Sequence, residues 1–390
     1  MFRCVTNIVI TQQGTGRNKV LTFDYVTEFF ATDTWVDLTN QATIKIPKNL
    51  YAKDQYGKLY PLFGTNKNIG GFDNSNPLFL RGDKVTIRYG YRYFRNGNEV
   101  LDLPADTKNQ PIYQFQGFIT EVGSKKPIEI KCEDNMWKLK QIPATPKVWN
   151  GSVESLISEL LAPYPEYKVN KLTTTTIGPI VVGNESIAQL LERLRKEANL
   201  ESYFRGNELR IGGIVYIESE AVERKFVFQQ NIISDDLSYK RRDDIILSAV
   251  VISRFEDFTG GTTKQGKAKT KRDRVEILVY WDKALQKWKY SEKPYPANVE
   301  GERRTLHFVN IKDKNTLFEK GVDALKRYFY EGFKGKFTTF GIPYVKQGDN
   351  VTIEDPILPE RNGKYKVKGV EYSGGTQGHR QTIILDYKIS

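Results

Sequence analysis

Three pairs of neighbouring carboxylates, Glu133-Asp134, Asp235-Asp236 and Asp243-Asp244, are the residues best placed in type to move protons. General acid–base chemistry needs two carboxylates facing each other across a cleft. Neighbours on a strand point to opposite faces, and neighbours in a turn are usually solvated. None of the three pairs is therefore read as catalytic. Only two histidines occur, His307 and His379, and neither sits in a recognisable catalytic context. The two cysteines, Cys4 and Cys132, make no disulfide framework and suit assembly in a reducing cytoplasm. There is no HExxH, CxxC or Cys/His cluster, which excludes the usual zinc sites. Walker A, GxGxxG and GxSxG patterns are also missing. The expectation is no catalytic residue, no metal ligand, no cofactor and no enzyme activity.

Charge is the next chemical feature. The net charge is +12 over 390 residues. Such a balance suits an acidic partner, whether nucleic acid or an acidic protein surface; a soluble lysine-rich surface gives the same total. Residues 259–274, TGGTTKQGKAKTKRDR, contain no large apolar side chain and read as a flexible basic loop. Lys264, Lys267, Lys269, Lys271 and Arg272 are its candidate docking residues. Two readings stand: a solvated hairpin tip, or a contact for an acidic neighbour or nucleic acid. No aromatics are interleaved, so stacking on single strands is not expected.

A repeat carries more information. Gly82-Asp83-Lys84-Val85-Thr86-Ile87 returns as Gly348-Asp349-Asn350-Val351-Thr352-Ile353. In both, Gly-Asp forms a turn that launches a strand with Val85 and Ile87, or Val351 and Ile353, on one face. A glycine-led strand follows each copy, from Gly117 and from Gly363, and then another alternating strand, Ile128–Cys132 and Thr382–Tyr387. One copy alone is common turn chemistry. The repeated order of strands argues for one β-fold used twice.

The elements that must position these residues follow from periodicity. Residues 1–142 read as β, with alternation in Ala42–Pro47, a long loop over 53–79 and a short helical turn capped by Asp134. The N-terminal MFRCVTNIVITQQG makes no signal peptide, and no apolar run reaches membrane-spanning length. Pro143, Pro146 and Gly151 mark a boundary. Residues 143–213 read as a small α/β insert. It holds a helix over Ser152–Leu161, a second over Ser186–Ala198, and a hairpin turning at Arg205-Gly206-Asn207. From 214 to 390 β signals return around one long helix, about Asn315–Glu331, with Gly332 as its cap.

Several runs then resemble a known family. Phe79–Ile87, Phe115–Val122 and Ile128–Lys140, with Gly90-Tyr91 completing the first element, are similar to the first tube domain of phage tail hub proteins. That group includes the baseplate hub of myophages, the late control D protein and the N-terminal part of the valine-glycine repeat proteins of type VI secretion. The two helices at 152–161 and 186–200 resemble the segment between the tube domains of such hubs. Gly341-Ile342-Pro343, Gly348-Asp349, Gly363–Val367 and Gly378–Thr382 resemble the closing strands of the second.

The resemblance implies a mainly β fold with an α+β insert: two similar β-barrel-like tube domains, 1–142 and 214–390, separated by a small two-helix α/β domain, 143–213. It implies a structural homotrimer, a pseudo-sixfold ring that adapts the tail tube to the central spike of a contractile injection system. It also implies a channel passing DNA or the tape-measure protein, and residence in the virion tail or a phage-like particle after cytoplasmic assembly. Two other readings are a tail-associated cell-wall hydrolase and a basic nucleic-acid-binding protein.

Overall fold

The computed structural model describes the chain except residues 1–2, 48–49, 62–77, 106–110, 124–126, 173–179, 199, 214–220, 242–246, 263–267, 298, 300–301, 310 and 390; residues 61 and 256–272 are described by their backbone. In chain order come β1 (Arg3–Thr11), β2 (Val20–Phe23), β3 (Glu28–Thr34), β4 (Gln41–Ile46), β5 (Tyr51–Lys53), β6 (Leu59–Pro61), β7 (Lys84–Arg95), β8 (Asn98–Asp102), β9 (Phe115–Val122), β10 (Ile128–Glu133) and α1 (Met136–Leu139). Next are β11 (Lys147–Trp149), α2 (Val153–Leu161), β12 (Lys168–Lys171), β13 (Ile180–Val182), α3 (Ile187–Ala198), β14 (Glu201–Arg205) and β15 (Glu208–Gly212). Then follow β16 (Glu223–Val227), β17 (Ile232–Lys240), β18 (Leu247–Thr262), β19 (Ala268–Asp282), β20 (Lys287–Ser291), β21 (Glu302–Val309) and α4 (Lys314–Lys326). The last four strands are β22 (Gly332–Phe340), β23 (Asn350–Glu354), β24 (Gly363–Gly375) and β25 (Arg380–Lys388).

Two compact units emerge. The first combines Met1–Lys138, Glu218–Leu237 and Gly335–Asp386; the second combines Leu139–Ile217, Ser238–Lys334 and Tyr387–Ser390.

The first unit is mainly β, built on a 16-stranded sheet ordered β17-β22-β25-β24-β3-β4-β10-β9-β7-β1-β2-β5-β6. Period-two alternation makes it, because successive side chains on a strand take opposite faces. Ala42, Ile44 and Ile46 of β4 are buried, as are Ile128, Ile130 and Cys132 of β10. The path ends at β17 and β6 without closing, so the barrel-like expectation becomes two curled, open half-barrels among the described residues. In the first, β9-β10-β4-β3 form one layer, while β7, β1 and β2 curl away from β9. In the second, β24-β25-β22-β17 form the layer, while β23 and β16 curl away from β24. The layers meet through aromatics: Tyr89 of β7 packs on Phe29 and Tyr372, and Phe226 of β16 packs on Phe337.

The half-barrels differ in three places. β1 is slotted between β2 and β7, whereas β16 lies directly and in parallel on β23. A short connection joins β3 to β4, but residues 241–331 separate β17 from β22. Residues 47–83 separate β4 from β7, whereas only 341–349 separate β22 from β23.

In the second unit, α2 is capped by Ser152, whose Oγ accepts from Ser155 N at 3.2 Å. Ser186 and Gln189 cap α3 reciprocally, at 2.8 and 3.2 Å. A four-stranded sheet, β20-β19-β18-β21, carries α4 on one face. Leu317, Val322 and Leu325 pack there on Ala249, Val251, Ile277 and Val279. The helix stops at Lys326, earlier than its apolar pattern suggests. Phe329 leaves the helical path to join Trp281 and Trp288, with ring centroids 4.6 and 5.4 Å away. Gly332 begins β22 and does not act as the helix cap.

Candidate assembly surface

The two Gly-Asp turns have matching hydrogen bonds. Gly82 and Gly348 take φ of +95° and +83°, the left-handed region that glycine enters without a Cβ penalty. Gly82 N donates to Ile119 O at 2.8 Å, and Gly348 N to Val367 O at 3.0 Å. Ile119 N donates to Asp83 O and Val367 N to Asp349 O, both at 2.9 Å. Each aspartate folds back on its own turn: Asp83 Oδ2 accepts from Leu80 N at 2.8 Å and Asp349 Oδ2 from Lys346 N at 3.1 Å. The other oxygen accepts from the neighbouring strand's flank, Gln13 N at 2.9 Å or Val222 N at 3.4 Å. Arg17 adds an ion pair to Asp83 at 2.6 Å. Both aspartates are buried, as are Val85, Ile87, Val351 and Ile353.

These bonds also reset the sequence alignment. Val85 faces Gly117 and Val351 faces Tyr365, so Gly117 corresponds to Tyr365 and lies two residues out of step with Gly363.

The equivalent strands β9 and β24 divide their pairing. β24 gives Gly363–Lys366 to β23 and then Gly369–Gly375 to β3 of the other half-barrel. β9 gives Phe115–Phe118 to β7, and among the described residues no strand pairs Thr120–Val122 on that side. β17, the counterpart of β3, has β22 on one side and ends the sheet path. Its residues Ile233, Ser234, Asp235 and Asp236 are all exposed, unlike Phe29 and Ala31 of β3. Among the described residues there is thus one filled junction between half-barrels and one vacant counterpart of it.

His379 lies buried where the half-barrels meet. Its Nε2 donates to Val5 O at 3.1 Å, and its ring is 4.6 Å from that of Tyr89 and 5.6 Å from that of Tyr91. Burial pulls its pKa down to about 4, with Arg380 adding to the shift. Burial pushes Tyr91 up to about 12, although its hydroxyl accepts from Gly341 N at 3.0 Å. A Cβ on Gly374 would stand 2.3 Å from the Phe29 ring and 2.4 Å from His379 Nδ1. No reacting group gathers here; the site is packing.

The remaining sequence candidates are scattered. Asp134 caps α1 through Met136 N at 2.9 Å and holds Asn40 N at 3.0 Å. Asp243-Asp244 lie outside the described residues, and so do Lys264 and Lys267. Lys269, Lys271 and Arg272 stand on β19, so the expected loop is largely an antiparallel ribbon. The backbone register sets Arg272 opposite Glu256 and Lys271 opposite Asp257. β21 ends opposite Arg254 and β20 opposite Leu278, so the ribbon runs on past both. His307 is half-buried on β21, and burial lowers its pKa. Among the described residues no three His, Cys, Asp or Glu gather as a metal site, and no helix is long and apolar enough to cross a membrane.

This fold is shared with phage tail proteins of known structure. The chain is similar over 98% of its length to a tail protein from Neisseria meningitidis, at TM-score 0.56, 12% identity and 96% coverage of that chain. It is similar over 98% to the 43 kDa tail protein of prophage MuSo2 from Shewanella oneidensis, at TM-score 0.53, 13% identity and 98% coverage. A chain of the Francisella PdpA-VgrG complex aligns with 99% of it at TM-score 0.51 and 8% identity, with 53% of that chain covered. No family model and no curated sequence matches the chain.

Proposed function

We propose that this protein is a non-enzymatic structural hub of a phage tail or related injection apparatus. Residues 1–142 and 214–390 supply its two tube domains, the second interrupted between β17 and β22, with 143–213 as the insert. Three copies form a pseudo-sixfold ring that joins the sixfold tail tube to the threefold spike. DNA or a tape-measure protein passes through it, and the ring is assembled in the bacterial cytoplasm.

The carrying observation is the filled junction between β3 and β24 beside its vacant counterpart. Copying that junction places β17 of one chain on the outer half of β9 of the next. Vacant edges tend to find strands, so a ring that uses every edge also removes an aggregation hazard. The fold relatives are tail proteins and a chain of the PdpA-VgrG complex, which supports placement at a tail hub. The ribbon carrying Lys269, Lys271 and Arg272, together with Lys264 and Lys267, is proposed as a docking arm for an acidic tail partner. About two thirds of the chain's excess positive charge falls between residues 238 and 334, which supports that role.

Mass measurement in solution with negative-stain imaging tests the reading. A threefold ring with an axial hole is expected, and a monomer that cleaves peptidoglycan overturns it. Proline scanning sharpens the test, because adjacent strand amides point to opposite edges. Of Ser234→Pro and Asp235→Pro, one should abolish the ring while leaving the chain folded.

A further inference from the structure

The two half-barrels turn chemically different faces away from their cores. In the first, β7, β1, β2, β5 and β6 make one five-stranded face, about 20 Å across at the usual strand spacing. None of these five strands contains an aspartate or a glutamate. The register sets Thr11 beside Lys84, Asn7 beside Arg88, and Thr22 beside Lys53. Among the described residues no ion pair engages Lys53, Lys84 or Arg88, and Arg88 Nη2 donates instead to Pro104 O at 2.8 Å. Lys19 and Lys58 add charge at the hairpin end, their ammonium groups 4.8 and 5.3 Å from the centre of the one Tyr60 ring. Asp54, in the β5–β6 turn, is buried, and its Oδ1 accepts from Tyr56 N at 3.0 Å and Lys58 N at 2.8 Å. Gln55 ties that turn to β2: its Oε1 accepts from Val20 N at 2.8 Å and its Nε2 donates to Asn18 O at 3.2 Å. Among the cations stand half-exposed Val9 and Val20 and exposed Tyr51 and Leu59.

The second half-barrel differs at matching positions. With Gly82 aligned to Gly348, Lys84, Thr86 and Arg88 correspond to Asn350, Thr352 and Glu354. There Glu354 pairs with Lys225 at 2.7 Å and Glu223 with Lys364 at 2.6 Å, while Glu223 also accepts from Thr352 Oγ1 at 2.8 Å. One face is cationic and unpaired; its counterpart carries both signs and satisfies them internally.

We infer that the face of β7, β1, β2, β5 and β6 is a docking surface for an acidic protein partner, which engages the first half-barrel and passes over the second. Cations without carboxylates attract an acidic surface and reject a basic one. Phosphate backbones gain from closely spaced lysine and arginine, whereas here the cations are spread among apolar groups. Tyr51, Leu59 and the two valines can bury against apolar side chains, as aromatic-rich protein interfaces do. Among the described residues β5 and β6 have no counterpart beside β16, so the surface belongs to the first half-barrel alone. In the ring proposed above it recurs three times, so the partner binds three times and not six; that step alone rests on the ring.

Cysteine labelling of the protein in solution tests the site, in a Cys4→Ser background where Cys132 is buried. Thr86→Cys and Thr352→Cys are matched, half-exposed positions. Poly-L-glutamate, the probe for an acidic chain, should slow maleimide reaction at position 86 and leave position 352 unchanged. Added salt should weaken that protection. Lys53→Glu/Lys84→Glu should raise the probe concentration needed about tenfold, and it should leave the melting temperature unchanged because neither lysine holds an ion pair. No protection at position 86, or equal protection at both positions, overturns the proposal. Duplex DNA protecting position 86 at a lower charge concentration than polyglutamate also overturns it, in favour of a nucleic-acid surface. So does protection that grows with protein concentration when no probe is present, which makes the face a contact between copies. None of these readings needs the ring, whose failure shows separately by mass.

Discussion

Asp83 and Asp349 show how a short motif becomes architecture. Each buried carboxylate satisfies amides that would otherwise be orphaned in a tight turn, and such orphans cost far more than an average hydrogen bond contributes. Asp83→Ala should cost about 2 kcal/mol or more by denaturant unfolding, because it strands two amides and Arg17. Asp349→Ala should cost less, since its contacts at 3.1 and 3.4 Å are longer. Equal, negligible losses would show that the turns hold themselves. The motif was legible in the sequence because turn chemistry is local. The partner amides Gln13 N and Val222 N were not, since they arrive from strands running in opposite directions. His379 was equally opaque: nothing in its neighbours announces a buried ring. It yields a pH prediction. The unfolded chain binds a proton near the usual histidine value of 6.5, the folded one only near about 4. The folded state therefore binds fewer protons between those values, and stability falls as pH drops from about 6.5 to about 4. The full loss is about 3 kcal/mol. Besides Arg380, the groups against the ring are Tyr89, Tyr91 and Phe29, so no carboxylate offsets the charge. His379→Gln, which keeps a donor for Val5 O, should flatten that slope in denaturant titrations at successive pH values.

Elements with strong periodicity were legible from sequence, and those shaped by partners were not. α2 and α3 follow their apolar stripes and caps to within a residue or so. α4 ends early because Phe329 packs on two tryptophans, a tertiary contact that outweighs local helical pattern. The basic stretch looked like a loop because it lacks apolar residues, yet the backbone of its described part pairs with β18 as an antiparallel ribbon. β17 gave no alternation to read, for its burial pattern is that of an edge. The two-residue slip between Gly117 and Gly363 has a similar cause: glycine caught the eye, while hydrogen bonds set the register. At this scale the α4 interface gives a clear test. Leu325 is fully buried against the β18–β19 face, so Leu325→Ala should cost about 3 kcal/mol. Gly321→Leu should cost comparably for the opposite reason. Even a Cβ there would come within 2.8 Å of Val251 and 3.2 Å of Val279. Calorimetry on each variant reads both, and a stable Gly321→Leu protein would mean that α4 can lift from the sheet.

At the scale of the whole molecule, one chain supplies two half-barrels but only one junction between them. Three chains would supply six half-barrels and, if every β17 finds a β9, six junctions. Closure then stabilises the folded chain by mass action, since partner copies bind the native edge and not the unfolded chain. The melting temperature should accordingly rise with protein concentration. A tenfold change in concentration contributes about 1.4 kcal/mol for each of the trimer's two association steps, or about 0.9 kcal/mol per chain. The Ser234→Pro or Asp235→Pro variant that loses the ring should melt at a temperature independent of concentration. That temperature should match the dilute limit of the unmodified protein. The neighbouring proline, which strikes the amide facing β22, should instead lower melting at every concentration. Scanning calorimetry over a hundredfold dilution separates the two outcomes. A concentration-independent melt in the unmodified protein, with mass measurement showing a single chain of 44.9 kDa, would mean that the edge is capped by something other than a second copy.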